Sequence, residues 1–238
     1  VALQLGAGDG EPDSVILEGS DEADSFLVAS QEVDGDEFIG IQNSIDLGIE
    51  QSDAGSGDRL TIRGNGGDDT IDAHLVEAFL INLRLEGNDG DDRLIGSQFD
   101  DILDGGAGSD TISGERGVDT FIAFAGPATD IDILLERRDA DYQLTDHELT
   151  IGTETEQLED AFGDPVFDRV VLIGGPGANA FAVSQWSGHA TLDGEEGGDA
   201  YTIHLNGAGS SVIVIEDSGT GTDTDTVTVN GTDGEDVF

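Results

Sequence analysis

A nine-residue unit repeats four times without a gap between Gly87 and Ile122. The four copies read GNDGDDRLI, GSQFDDILD, GGAGSDTIS and GERGVDTFI. Each copy has glycine at its first position, aspartate at its sixth and a large apolar residue at its eighth. A unit this short cannot bury its apolar position alone, so neighbouring copies must stack to share a core. The repeat therefore restricts the chain to an array of short strands joined by tight turns.

Further copies of the unit lie outside this block. The sequence GNGGDDTID starts at Gly64, and GEEGGDAYT starts at Gly194. Weaker copies start at Gly19, Gly174 and Gly231. The pattern is thus strongest in the middle of the chain and degenerate towards both ends.

Four longer runs lead into several of these copies. Each run begins with aspartate and continues with alternating apolar residues, starting at Asp13, Asp58, Asp168 and Asp225. Alternation with a period of two predicts half-buried β-strands. Only two segments have a spacing that would suit a helix, Ala73–Leu80 and Asp130–Tyr142. The sequence therefore predicts an all-β fold.

Each part of the repeat has a structural role. Glycine allows positive φ values, so the first six residues can form a tight turn with carbonyl groups directed inward. The last three residues form a short strand whose eighth-position side chain points to the core. Because two units make one coil, stacking places Asp92 beside Asp110 and Asp101 beside Asp119. Carboxylates and carbonyls about one strand spacing apart, ~4.8 Å, form an all-oxygen environment that suits Ca²⁺ better than Mg²⁺.

These units resemble the G-G-x-G-x-D-x-U-x repeats of the RTX, or haemolysin-type, calcium-binding family. The resemblance is firm over residues 64–72 and 87–122, weaker over 194–202 and loose at the ends. It implies a right-handed parallel β-roll or β-helix solenoid that binds calcium in its turns. It also implies a secreted bacterial protein, either extracellular or on the cell surface.

In this family, carbonyl oxygens and the aspartate of two stacked turns share each ion. The resemblance implies one site between the turns that end at Asp92 and Asp110, and a second between those that end at Asp101 and Asp119. A third site between the turns ending at Asp69 and Asp92 requires a looped coil. The candidate calcium ligands are Gly64, Gly66, Asp69, Gly87, Asn88, Asp89, Gly90, Asp92, Gly96, Gln98, Asp101, Gly106, Gly108, Asp110, Glu115, Gly117, Asp119 and Asp199.

Three positions depart from the repeat. Glu22 and Phe99 stand where the fourth-position glycine is expected, and Asn179 replaces the sixth-position aspartate with a neutral side chain. These departures weaken the expectation of calcium at their turns. A metal-free β-helix with aspartate side chains that cap their own turns is the simplest alternative for every copy.

The charge of the chain excludes several classes of partner. The 238 residues include 53 Asp and Glu against 8 Lys and Arg, which gives a formal net charge of −45. Nucleic acids and anionic lipids are bound through lysine and arginine, so binding to either is excluded, and no apolar stretch suits membrane insertion. The chain has no cysteine, which excludes disulfides, thiol catalysis and cysteine-ligated zinc.

No catalytic motif accompanies the repeats. The four histidines show no HExxH spacing, and the chain has no GxSxG nucleophile elbow. Parallel β-helices include polysaccharide lyases and epimerases, which need cationic groups to neutralise a uronate. A chain without lysine is poorly equipped for that chemistry, so we expect a protein without enzymatic activity.

The sequence predicts one continuous solenoid in three regions: degenerate coils over residues 1–63, the calcium-binding β-roll over 64–129, and degenerate coils with isolated RTX-like turns over 130–238. We expect an excerpt of a longer protein whose partners are calcium ions and the neighbouring repeats of the parent chain. The predicted function is a structural spacer in a large secreted or cell-surface protein that folds when it meets extracellular calcium. Two alternatives stay open: an adhesin module that binds a glycan or another surface ligand, and a carbohydrate-active β-helix enzyme.

Overall fold

A computed structural model describes residues 2–4, 11–33, 36–42, 47–50, 54–122, 130–158, 167–205 and 211–232. The chain divides into two compact units, Val1–Asp132 (unit 1) and Ile133–Phe238 (unit 2). Both units are built from strands, as the sequence predicts. Among the described residues, no helix has the length and apolar character needed to cross a membrane.

Unit 1 contains twelve strands among its described residues, and one short 3-10 helix, Ala54–Ser56. The strands are β1 Ala2–Gln4, β2 Ser14–Glu18, β3 Ser25–Val33, β4 Asp36–Gln42, β5 Leu47–Glu50, β6 Arg59–Gly66, β7 Thr70–Leu75, β8 Asn82–Asp89, β9 Arg93–Ile95, β10 Ile102–Ala107, β11 Thr111–Ser113 and β12 Thr120–Ile122.

From β6 onward, successive strands of unit 1 alternate between two sheets. One sheet has the order β1-β5-β4-β3-β7-β9-β11, and the other has the order β2-β6-β8-β10-β12. In the second sheet Leu103 pairs with Leu85 on one side and with Phe121 on the other, all in parallel. The nine-residue period thus appears as one strand per repeat, and the strands of every second repeat lie in the same sheet.

The eighth position of each repeat supplies the core of this region. The eighth-position side chains of five repeats are at most 5% exposed: Ile71, Leu94, Leu103, Ile112 and Phe121. Burial of one large apolar side chain contributes about 1.5–3 kcal/mol. The inward direction of the eighth side chain, predicted from the repeat, is confirmed.

The parallel arrangement is interrupted by antiparallel strands in both units. In unit 1, β3 pairs antiparallel with β4, and β4 pairs antiparallel with β5. Only Asp34 and Gly35 separate β3 from β4 in sequence, and an Asp-Gly pair at that spacing is a strong hairpin signal. The expectation of parallel coils therefore holds for the repeats but not for these insertions.

Unit 2 contains ten strands among its described residues. They are β13 Ile133–Arg137, β14 Tyr142–Leu144, β15 Glu148–Ile151, β16 Glu154–Gln157, β17 Arg169–Ile173, β18 Ala180–Ser184, β19 His189–Asp193, β20 Ala200–His204, β21 Val212–Glu216 and β22 Thr226–Asn230. Strands β13, β17, β19 and β21 form one parallel series. In the other sheet β14, β18, β20 and β22 are parallel, while β15 and β16 extend it antiparallel from β14.

The two segments that could have suited a helix are not helical. Residues 73–75 belong to β7, and residues 133–137 form β13. In β13 the side chains of Leu134 and Glu136 are buried and their neighbours are not, which is the alternation of a strand. The helical interpretation of Ala73–Leu80 and Asp130–Tyr142 was therefore wrong, because parallel pairing with the next coil outweighed a weak local pattern.

Candidate metal centre

The sixth-position aspartates of unit 1 form a hydrogen-bonded ladder along one edge of the stack. The Asp69 backbone N–H donates to Asp92 Oδ1 at 2.7 Å, and the Asp92 N–H donates to Asp110 Oδ1 at 2.9 Å. The ladder continues to Asp24 below, at 2.6 Å, and to Asp132 above, at 3.0 Å. One carboxylate oxygen of each aspartate is thus used to hold the neighbouring turn. The separation of 23 residues between Asp69 and Asp92 is absorbed by the loop between β7 and β8.

The same contact recurs elsewhere in each unit. On the other edge of unit 1, the Asp101 N–H donates to Asp119 Oδ1 at 2.9 Å. In unit 2, the Asn179 N–H donates to Asp199 Oδ1 at 2.8 Å, and the Asp199 N–H donates to Asp225 Oδ1 at 2.8 Å. The stacking of Asp92 with Asp110 and of Asp101 with Asp119 agrees with the spacing of the repeat.

Five turns share an unusual backbone conformation, and we call them the open turns: 64–69, 87–92, 105–110, 114–119 and 194–199. In each, the second and the fourth residue are left-handed. The second residues are Asn65, Asn88, Gly106, Glu115 and Glu195, with φ between 62° and 101°. The fourth residues, with φ between 97° and 139°, are Gly67, Gly90, Gly108, Gly117 and Gly197. Glycine at the fourth position is therefore required by the backbone, since a side chain there would be strained.

In the open turns, oxygen atoms converge beside the first-position glycine. A Cβ atom on Gly87 would collide with Asp92 Oδ2 and with the carbonyl oxygen of Gly105 in the next turn. A Cβ atom on Gly64 would collide with Asp69 Oδ2 and would lie 2.8 Å from the carbonyl oxygen of Gly87. The first glycine is thus fixed by the two oxygens that occupy the space of a side chain.

The converging carboxylate oxygens have no donor. The Oδ2 atoms of Asp69, Asp92 and Asp199 are buried and make no hydrogen bond. All three aspartates are at most 2% exposed. A buried carboxylate oxygen without a partner costs about 1–3 kcal/mol or more, so a cation at this place would remove a large penalty.

In three other turns, a side-chain oxygen of the sixth residue accepts a hydrogen bond from an amide of the same turn. We call them the closed turns: 19–24, 96–101 and 174–179. The Ser20 N–H donates to Asp24 Oδ2 at 2.6 Å, and the Ser97 N–H donates to Asp101 Oδ2 at 2.5 Å. In the third, the Gly175 N–H donates to Asn179 Oδ1 at 2.9 Å. The second residue of a closed turn thus supplies the donor that the open turns lack.

Burial makes ionisation of these aspartates costly. Desolvation, together with the nearby Asp69, Asp68 and Asp91 carboxylates, raises the pKa of Asp92 to about 6, although the hydrogen bond from the Asp69 N–H lowers it. Desolvation likewise raises the pKa of Asp110 to about 7. At neutral pH these groups therefore resist carrying a negative charge unless a positive charge lies next to them.

The residues fit a hard cation that is held largely by the backbone. In the part of the chain that the structure describes, no three His, Cys, Asp or Glu side chains come together as a metal site would require. A cation between two open turns would therefore take most of its ligands from carbonyl groups, with one carboxylate from each turn. Six to eight oxygens in a flexible arrangement are the ligands that Ca²⁺ prefers.

The predicted ligands fall on six turns. Gly64, Gly66 and Asp69 lie on turn 64–69; Gly87, Asn88, Asp89, Gly90 and Asp92 on 87–92; Gly96, Gln98 and Asp101 on 96–101; Gly106, Gly108 and Asp110 on 105–110; Glu115, Gly117 and Asp119 on 114–119; and Asp199 on 194–199. The structure brings turns 64–69, 87–92 and 105–110 together on one edge. It brings turns 96–101 and 114–119 together on the other edge. The weak copy that begins at Gly231 lies outside the described residues from position 233 onward.

Sequence reasoning missed the serines of the closed turns. Ser20 and Ser97 both occupy the second position of a repeat whose fourth residue is not glycine. Serine commonly caps a turn through its own amide and hydroxyl, so this combination was the available signal.

Comparison with known proteins agrees with this site. The RTX calcium-binding nonapeptide repeat matches in four copies, over residues 61–75 and 86–121. These segments contain the three consecutive open turns on one edge and the pair of turns on the other. Neither the curated proteins nor the solved structures provided a match to the chain.

Proposed function

We propose that this chain, which carries four RTX nonapeptide repeats, is a calcium-binding structural segment whose folding is coupled to the ion. The observation that carries the proposal is the pair of buried Oδ2 atoms of Asp69 and Asp92, each beside a carbonyl oxygen of the next turn and without a donor. In this proposal the chain is a right-handed parallel β-roll solenoid of a secreted or cell-surface bacterial protein.

Two sites lie between stacked open turns on one edge of unit 1. The first joins turns 64–69 and 87–92 and would use Gly64, Gly66 and Asp69 with Gly87, Asn88, Gly90 and Asp92. The second joins turns 87–92 and 105–110 and would use Gly87, Asp89 and Asp92 with Gly105, Gly106, Gly108 and Asp110. The hydrogen bonds from Asp69 to Asp92 and from Asp92 to Asp110 support both pairings, because they hold the two aspartates of each site one coil apart.

The magnitude of the effect is sufficient to control folding. Extracellular calcium modules bind with Kd of about 10⁻⁴–10⁻³ M. At about 100-fold above Kd, each site adds roughly 2.7 kcal/mol to the stability of the folded state. Two sites then contribute about 5 kcal/mol, which is comparable with the whole stability of a small domain, ~5–15 kcal/mol.

The acidity of the chain makes the coupling stronger. With a formal net charge of −45, the folded state is destabilised by repulsion that bound cations reduce. In a cytosol with little free calcium the repeats would stay loosely folded, and outside the cell they would become rigid. This behaviour suits a spacer that is exported before it folds, and it assigns the chain a structural role rather than an enzymatic one.

Circular dichroism with thermal melting tests the proposal. We expect calcium to add β structure or to raise the melting temperature strongly in the full chain. Magnesium at equal concentration should have little effect, because its octahedral preference fits a flexible carbonyl site poorly. Identical spectra and melting curves in calcium and in EDTA would contradict calcium binding.

A further inference from the structure

We infer that the two closed turns with serine at their second position, 19–24 and 96–101, exclude calcium, and that the serine amide takes the place of the ion. The inference rests on the proposed function and makes it more specific. Turn 96–101 stacks on the open turn 114–119, where the resemblance to RTX repeats implies a further site. In our inference this place takes no ion, so calcium lies along only one edge of unit 1.

The hydrogen bonds of the closed turns carry the inference. In turn 96–101 the Ser97 N–H donates to Asp101 Oδ2 at 2.5 Å, and the Ser97 hydroxyl oxygen accepts from the Phe99 N–H at 3.1 Å. Turn 19–24 has the same arrangement. There the Ser20 N–H donates to Asp24 Oδ2 at 2.6 Å, and the Ser20 hydroxyl oxygen accepts from the Glu22 N–H at 3.2 Å.

The backbone conformation separates the two kinds of turn. Asn88 and Gly90 in an open turn have φ of 82° and 139°, whereas neither Ser97 nor Phe99 is among the described residues with positive φ. The second position tolerates other residues, since Glu115 and Glu195 are left-handed there. The fourth position is glycine in every open turn, and it is Glu22 and Phe99 in the two closed turns that contain serine. Turn 174–179 closes although its fourth residue is Gly177, and its sixth residue is the neutral Asn179, so a fourth-position glycine is necessary for an open turn but does not suffice.

Phe99 also has a packing reason to keep its turn closed. A Cβ atom on Gly117, the fourth residue of the stacked open turn, would lie 2.6 Å from the Phe99 carbonyl oxygen. The Phe99 ring itself packs against Phe79, with ring centroids 5.2 Å apart. The Phe99 side chain thus has a partner in Phe79, and the fourth residue of turn 96–101 is not left-handed.

The chemistry of the contact excludes a cation. An amide N–H that donates to Asp101 Oδ2 satisfies the same carboxylate oxygen that an ion would coordinate. A calcium ion here would compete with this buried hydrogen bond for the same oxygen and would face the positive end of the amide dipole. In the open turns no such donor competes, because Asp92 Oδ2 has no hydrogen bond.

A reciprocal exchange of turns tests the inference by calcium stoichiometry. Ser97→Gly with Phe99→Gly gives turn 96–101 the glycines of an open turn, and the full chain should then bind one more calcium ion than the parent. Gly106→Ser with Gly108→Phe gives turn 105–110 the closed pattern and should remove one ion. Val118→Gly is the matched control, because it adds a glycine at an exposed position of the neighbouring turn and should leave the stoichiometry unchanged. Isothermal titration calorimetry measures all four proteins.

A measurement on the parent keeps the inference testable if a variant does not fold. In the calcium-loaded chain, the Ser97 amide should exchange its hydrogen slowly, since it is donated to a buried carboxylate. An unchanged stoichiometry in the Ser97→Gly, Phe99→Gly variant, or an unprotected Ser97 amide, would overturn the inference. A parent that binds no calcium would instead contradict the proposed function.

Discussion

The two units hold their stacked strands together in different ways. In unit 1, the repeats bury aliphatic side chains such as Leu94, Leu103 and Ile112, and their turns are joined by a ladder of aspartates. In unit 2, the rings of Tyr142, Phe181 and Tyr201 stack in the interior. Neighbouring centroids are 5.1 Å apart, and the interplanar angles are 6° and 10°.

The tyrosine hydroxyl groups of unit 2 also make hydrogen bonds with backbone groups. The Tyr142 hydroxyl donates to the Ile173 carbonyl oxygen at 2.6 Å and accepts from the Arg138 N–H at 2.7 Å. The Tyr201 hydroxyl accepts from the Gly194 N–H at 2.8 Å. A Cβ atom on Gly194 would lie 2.6 Å from this hydroxyl, whereas at Gly87 the corresponding neighbour is a carbonyl oxygen. Stacked rings and tyrosine hydroxyl groups thus add contacts in unit 2 that the repeats of unit 1 lack, although the open turn 194–199 of unit 2 also holds the unpaired Asp199 Oδ2.

Removal of calcium should separate the two units most strongly. In EDTA we expect unit 1 to lose strand structure, because two sites worth about 2.7 kcal/mol each are lost together. Unit 2 should remain folded, and its buried Trp186 reports on it, since this is the one tryptophan of the chain. Far-UV circular dichroism should fall while the Trp186 emission stays that of a buried indole. A simultaneous loss of both signals would show that the aromatic stack does not stabilise unit 2 independently.

Asp92→Asn should lower the stability of unit 1 in calcium and raise it slightly in EDTA. In calcium we expect a loss of roughly 3–5 kcal/mol, because Asp92 belongs to both proposed sites. In EDTA the variant should be slightly more stable than the parent, since a buried charge with a raised pKa is removed.

The exposed Glu77 provides the matched control for Asp92→Asn. Glu77→Gln makes the same change of charge in unit 1 and should have little effect in either condition. Chemical denaturation of both variants, with and without calcium, measures the difference. Equal losses for Asp92→Asn and Glu77→Gln in calcium would indicate that charge, not coordination, governs unit 1.

Tyr142→Phe should destabilise unit 2 by about 0.5–1.5 kcal/mol, because the hydroxyl group loses its hydrogen bonds with the Ile173 carbonyl oxygen and the Arg138 N–H, while the Arg138 N–H keeps the Ile173 carbonyl oxygen as an acceptor. The loss should be the same in calcium and in EDTA, since no ion takes part in this contact. Thermal melting followed by Trp186 emission measures it. A calcium-dependent effect would mean that the tyrosine stack is coupled to ion binding and that the two units are not as different as proposed.

Acidification should have opposite effects on calcium-free and calcium-loaded unit 1. The pKa of Asp92 is raised to about 6 and that of Asp110 to about 7, so the ion-free folded state binds protons that the unfolded chain has already released. Stability in EDTA should therefore rise by a modest amount as the pH falls from about 7.5 to about 5.5. In calcium the same protons compete with the ion, so stability should fall. Melting temperatures across this range test the sign, and parallel trends in the two conditions would contradict it.

The regular part of the structure was predictable because one physical constraint determines it. A nine-residue period with one buried position forces strands to alternate between two sheets, and this places Asp92 beside Asp110. The same reasoning places Phe181 and Tyr201 at eighth positions, two of the three stacked rings of unit 2. Tyr142 lies outside any copy of the repeat, and the parallel pairing of β14 with β18 places it opposite Phe181.

The differences between individual turns depend on contacts that cannot be inferred from the repeat pattern. A turn is closed where the amide of its second residue donates to the sixth side chain, and in turns 19–24 and 96–101 this goes with serine at the second position and a bulky fourth residue. The resemblance to the family implies the same kind of ligand set on both edges, and only the donor to Asp101 Oδ2 distinguishes the edge of Asp101 and Asp119 in our inference. The difference between Ser97 and Asn88 could be interpreted only once the donor to each carboxylate was known.

A crystal structure of the full chain grown in calcium, with the ions located by their anomalous signal, tests the central claim most directly. We predict one ion beside Asp69 Oδ2 and the Gly87 carbonyl oxygen, and another beside Asp92 Oδ2 and the Gly105 carbonyl oxygen, each with oxygen ligands at about 2.3–2.6 Å. No ion should lie beside Asp101. A calcium-grown crystal in which Asp69 and Asp92 bind no ion, and in which both Oδ2 atoms accept hydrogen bonds from the protein instead, would contradict calcium-coupled folding of this chain.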